Sequence, residues 1–100
     1  MSSILFKKYA IIDKVVFYKL DNYIDQKLFF VGIDMTNPNL YFYDNVDFDN
    51  PIATIDLSDI DKPVDSIPGL SGYARAHIII KLYKVFKEKK FPDYMVYQRT

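Results

Sequence analysis

The spacing of its turn-forming residues is what most constrains this chain. Three segments, "DNYIDQ" (21–26), "TNPN" (36–39) and "DNVDFDNP" (44–51), are dense in Asn, Asp and Pro. Such residues favour turns because Asx side chains cap nearby amides and proline presets φ. Between and beside them stand short β-branched and aromatic runs, "KVVFYKL" (14–20), "KLFFVGIDM" (27–35), "LYFY" (40–43) and "IATIDL" (52–57), a composition that suits strands. Because the connections are short, successive strands are expected to be antiparallel neighbours in a meander.

Alternation within these runs predicts which faces are covered. In "IATIDL", Ala53, Ile55 and Leu57 fall on one side and Ile52, Thr54 and Asp56 on the other, the pattern of a half-buried strand. "LFFV" (28–31) is apolar on both sides, which suits a central strand. The opening "ILFKKYAIIDKVVFYKL" (4–20) fits one bent strand, two strands or a helix, and its β-branched and aromatic content favours strand.

A different period begins after "IPGLS" (67–71). Pro68-Gly69 reads as a turn and Ser71 as an N-cap. Ala74, Ile78, Ile79, Leu82, Val85 and Phe86 then fall on one helical stripe, predicting a helix over 72–90 whose apolar side covers a sheet. Its final "KEKK" suits the negative end of the helix dipole, and "FP" (91–92) stops it. "DYMVYQ" (93–98) reads as a last strand. One hundred residues, half of them apolar, suit a single domain over 1–100. The expected class is therefore α+β: an antiparallel meander, one C-terminal helix across one face, and a final short strand.

Composition narrows the function. Without cysteine, no disulfide framework, thiolate metal site or Cys nucleophile is available. "MSSILFKKYA" has no leader pattern and no apolar run is long enough to span a bilayer, so a soluble cytoplasmic protein without membrane contact is expected. Eleven Lys against two Arg is the usage of an AT-rich coding sequence, as in some bacteria and phages.

The chain holds one His and one Glu. His77 projects onto the polar side of the helix with Lys81, Lys84 and Glu88, where an exposed surface His is expected; no nucleophile near it in sequence makes it a general base. No catalytic residue is assigned and a non-enzymatic role is expected. "IPGLSG" (67–72) lacks the Lys-Ser/Thr of a P-loop and the spacing of a dinucleotide fingerprint, and no cofactor is expected.

Charge is the informative feature. Formal net charge is zero, but residues 1–33 hold five Lys and three Asp, 34–66 hold eight Asp and one Lys, and 67–100 hold seven Lys/Arg and two acids. Segment 43–65 alone carries seven of the acidic residues. As a calcium loop it fails, because Pro51 offers no side-chain oxygen, Ile52 replaces the required Gly and Ser58 stands where the bidentate Glu belongs. No metal site is assigned; a loose cation site around Asp44, Asp47 and Asp49, or plain solvated turns, are the alternatives.

Short, stiffly placed carboxylates can dock on a basic cleft and steer encounter with it. The expected contact surface comprises Tyr41, Tyr43, Asp44, Asp47, Asp49, Asp56, Asp59 and Asp61, with the two tyrosines as amphipathic anchors. Its expected partner is a protein with a basic surface, met as an inhibitor or immunity-type factor meets its target. The alternative is a nucleic-acid module using His77, Lys81, Lys84 and Lys87. Self-association into a homodimer is a third possibility, because Ile80 falls on the polar side of the helix.

Overall fold

The computed structural model of the protein describes residues 2–22, 27–59, 67, 70 and 72–99. Six strands and one helix follow one another as β1 (Ser2–Ile12), β2 (Val15–Asn22), β3 (Lys27–Asp34), β4 (Asn39–Tyr43), β5 (Ala53–Asp56), α1 (Gly72–Glu88) and β6 (Tyr94–Arg99), with a short 3-10 turn at Leu57–Asp59. All strands pair antiparallel in a single sheet of order β5-β4-β3-β2-β1-β6. This is the expected α+β meander, with β3 inside the sheet as the two-sided apolarity of "LFFV" requires.

The ambiguous opening is a hairpin. Ile12 pairs with Val15, leaving Asp13 and Lys14 as the turn. Asp13 takes φ 54°, a left-handed conformation that a short polar side chain tolerates better than most. Further along β1 the register shifts between Lys8 and Ala10. Tyr9 is the extra residue, and the bulge re-aims its ring.

The next hairpin turn is shaped by a buried carboxylate. Asp34 Oδ1 accepts hydrogen bonds from Thr36 N (2.9 Å), Thr36 Oγ1 (3.0 Å) and Asn37 N (3.0 Å). Burial pushes this carboxyl up, but the donors from Asn37 and Thr36 outweigh it and hold it below the ordinary aspartate range.

One face of the sheet is covered by α1. Ala74, Ile78, Ile79, Leu82 and Val85 are buried, as the stripe predicts, and they meet Phe6, Tyr18, Leu20, Val31, Ile33 and Phe42 of the strands in one continuous cluster. Phe86 is half-buried at its margin. Burying each such side chain contributes roughly 1.5–3 kcal/mol before conformational entropy is counted.

The helix ends at Glu88, two residues before its expected stop, because Lys89 turns to φ 55°. Its amide still bonds Phe86 O (3.2 Å), and its ammonium closes over the Phe86 ring at 3.6 Å and donates to Met35 O at 3.0 Å. The expected Pro68-Gly69 turn and Ser71 cap lie outside the described residues, as does part of the 21–26 turn. The strand β6 returns to pair with β1, which brings the two ends of the described chain together.

Candidate functional site

Among the described residues, no helix covers the second face of the sheet. That face carries a separate aromatic cluster of Phe17, Phe30 and Tyr43, with Val15, Tyr41 and Phe48 packed against them. Gly32, opposite Phe17 in the β2–β3 register, makes it possible. A Cβ at Gly32 would stand 3.0 Å from both the Phe17 ring and the Val15 side chain, so hydrogen is the largest substituent that lets Phe17 lie across the backbone.

On this platform sits Phe48, from the connection between β4 and β5. It stacks on Phe17 with ring centroids 4.2 Å apart and planes 13° from parallel. Tyr43, Phe30 and Tyr9 meet it edge-on at 5.2, 5.6 and 5.8 Å, the offset geometries that ring quadrupoles favour. The bulge at Tyr9 thus supplies one wall of the cage.

Phe48 is embedded in the acidic segment, so the cage pins the aspartates in place. Asp44, Asn45, Val46, Asp47 and Asp49 are exposed around it. Their backbone is held by Asx geometry: Asp47 N donates to Asn45 Oδ1 (2.7 Å), Asp49 N to Asp47 Oδ1 (3.3 Å), and the Asn50 amide to Asp47 Oδ2 (2.8 Å). The Asn45 amide donates to Asp44 Oδ1 (2.9 Å), and Ile52 N donates to Phe42 O (2.7 Å), closing the loop. Among the described residues, Asp44, Asp47 and Asp49 form no ion pair; the one salt bridge joins Lys8 to Asp93 at 3.0 Å, elsewhere in the sheet.

The structure distributes the expected contact residues unevenly. Asp44, Asp47 and Asp49 are together in one loop. Tyr41 and Tyr43 do share the adjacent face, but Tyr43 is buried, at 4% exposure. Its ring supports Phe48 and offers no free face to a partner. Burial, with help from Tyr41 and Asp49, pushes its hydroxyl up to about 12. Asp56 is exposed at the far end of the β4–β5 pair, opposite Asn39, roughly 13 Å along the strand from Tyr43. There its Oδ1 accepts from Ser58 N (2.9 Å) and Ser58 Oγ (2.6 Å). Asp59 lies in the 3-10 turn, its side chain outside the described set, and Asp61 lies outside the described residues. Phe48 itself was passed over by sequence reasoning; its only signal was a large aromatic inside a turn-forming run.

The basic residues of the helix occupy the opposite side of the molecule. Lys84 and Lys87 are exposed, with Lys87 over the Tyr83 ring at 5.7 Å. His77 departs from expectation: it is half-buried, its ring tilted against Tyr97 of β6 at 4.7 Å, because β6 returns beneath that flank of α1. Ile80, which projects onto the polar side of the helix, is 57% exposed. Between the end of α1 and the start of β6 runs a groove of ≈ 450 Å³ with Lys81, Lys84 and Lys90 on its rim beside Glu88, and Val85, Phe91 and Met95 among its apolar lining.

Among the described residues no helix is long and apolar enough to cross a membrane, and no group of three or more His, Asp or Glu gathers as metal ligands would. No family model, curated protein or solved structure matches the chain.

Proposed function

We propose that the protein is a small binding module that presents the β4–β5 loop to a basic surface on another protein, acting by occupation as an inhibitor or immunity-type factor does. The observation that supports this most directly is the exposed trio Asp44, Asp47 and Asp49, held around a caged Phe48 and not neutralised by internal ion pairs among the described residues. A loop already fixed before encounter loses little entropy on docking. Its unscreened carboxylates accelerate approach to a cationic target.

A duplex contacted through His77, Lys81, Lys84 and Lys87 is served less well. His77 is turned against Tyr97, and Lys81 and Lys84 flank a groove with an apolar lining.

The test is capture from the native cell, followed by kinetics on the captured partner. Replacing Asp44, Asp47 and Asp49 together with Asn is expected to slow association at least tenfold at low salt and flatten its salt dependence, with the melting temperature nearly unchanged. A triple variant that associates as fast as the parent would remove the acidic loop from the reaction.

A further inference from the structure

We propose that the groove between α1 and β6 receives the β4–β5 loop of a second copy of this chain, so that copies associate head to tail. This rests on the loop being a contact surface, as proposed above, and names a partner for it.

The two surfaces match in charge and in apolar content. Lys81, Lys84 and Lys90 rim the groove against the single carboxylate of Glu88, while the loop carries Asp44, Asp47 and Asp49. Between Asp44 and Asp47 stands Val46, 62% exposed, the most exposed large apolar side chain among the described residues. Phe91 and Pro92, with the small exposed margins of Val85 and Met95, make up the apolar side of the groove that meets it. At ≈ 450 Å³, the groove falls within the roughly 300–1,000 Å³ of ordinary ligand clefts, enough for a loop tip.

The loop cannot reach the groove of its own chain. It lies over the helix-free face, where Phe48 reaches Phe17 of β2 and Tyr9 of β1, whereas the groove is lined by α1 and Met95 on the helix side beside β6, so the sheet itself stands between them. The complementary surfaces can therefore meet only between molecules. The contact is heterologous, because each copy uses two different patches, and it propagates as a ring or an open chain. Zero formal net charge lets copies approach without overall repulsion.

The decisive experiment is a charge-exchange mixture followed by sedimentation velocity. Wild-type protein is expected to gain mass with concentration at about 0.05 M salt and to revert to monomer at about 0.5 M. A loop variant (Asp44→Lys with Asp47→Lys) and a groove variant (Lys81→Glu with Lys84→Glu) are each expected to remain monomeric alone. An equimolar mixture of the two should regain association, because each then meets an opposite charge. All four positions are solvent-facing or at a groove rim, and circular dichroism of each variant establishes that it is folded.

A wild-type monomer at every concentration in low salt overturns the proposal. So does association that the groove variant leaves intact, which would indicate pairing through Ile80 or the β6 edge. A monomer that still captures a basic partner through its aspartates overturns the head-to-tail contact while the proposed function stands. Restored assembly in the mixture, with no foreign protein captured, supports the contact and removes the foreign-partner reading.

Discussion

Both faces of this sheet bury aromatic rings, yet they do so by different physical routes. The helix-covered face is a deep, continuous core in which Phe6, Tyr18 and Phe42 have no exposed surface and the apolar stripe of α1 supplies the opposing layer. Among the described residues, the other face has no second layer. It is closed locally by Phe48, one ring inserted from an acidic loop, over a platform that exists because residue 32 is glycine. The first arrangement stabilises the fold; the second chiefly positions the loop. A lid of one side chain shields little area, but it can fix the place of every charge attached to its backbone.

That contrast is open to direct attack. The largest effect is expected from Phe42→Ala, which empties a fully buried site on the helix side and should lower unfolding free energy by about 3–5 kcal/mol in denaturant titration. Phe48→Ala removes a half-buried ring and should cost about 2 kcal/mol. It should also release the amides of Asp47, Asp49 and Ile52 to fast hydrogen exchange while those of β1 and β2 stay protected. If β1 and β2 exchange faster as well, the lid and the core are one cooperative unit and the distinction between the faces fails.

Gly32→Ala acts on the same platform from below, and because Gly32 does not occupy the left-handed region, the change adds no φ strain and its effect is crowding set against the lower unfolded-state entropy of alanine. The crowding against Phe17 and Val15 should cost about 1–2 kcal/mol, and the variant Phe17→Leu should reduce that penalty.

The smallest and most specific comparison uses one buried tyrosine from each face. Tyr18, on the helix side, donates to Pro92 O at 2.7 Å. Burial first, and then the charge of Asp93, pushes its hydroxyl up to about 12, the same value reached by Tyr43 on the open face. Raised folded-state values mean that stability is complete below the unfolded tyrosine value near 10 and declines as pH rises toward 12. Ultraviolet titration should therefore show Tyr18 and Tyr43 ionising late. Tyr43→Phe should remove one of them and flatten the alkaline decline, at a cost under about 1 kcal/mol near neutrality. Tyr18→Phe should remove the other and additionally lose its hydrogen bond, about 1 kcal/mol.

Much of the architecture was legible because it follows from local rules. Asn, Asp and Pro at "TNPN" predict a tight connection, and the structure builds it around the Asp34 carboxylate. Alternation in "IATIDL" predicts Ile55 and Leu57 inward and Asp56 outward, as observed. The stripe from Ala74 to Val85 predicts the covered side of α1. The candidate site was legible only in part. Asp44, Asp47 and Asp49 could be singled out by charge, but the inward turn of Tyr43 and the half-burial of His77 against Tyr97 depend on which strands arrive beside them.

The sequence by itself determined the helix, the strands from β3 onward, the antiparallel run of sequential neighbours, and the inner side of β5 and α1, because turn chemistry and apolar period act between residues a few positions apart. The opening 4–20 stayed open between one strand, two strands and a helix. Only the tertiary structure decided that β6 closes onto β1, that Phe48 docks on Phe17, and that loop and groove lie on opposite sides of the molecule. Those outcomes depend on contacts between residues distant in the chain, whose complementarity of shape has no periodic trace in the order of amino acids.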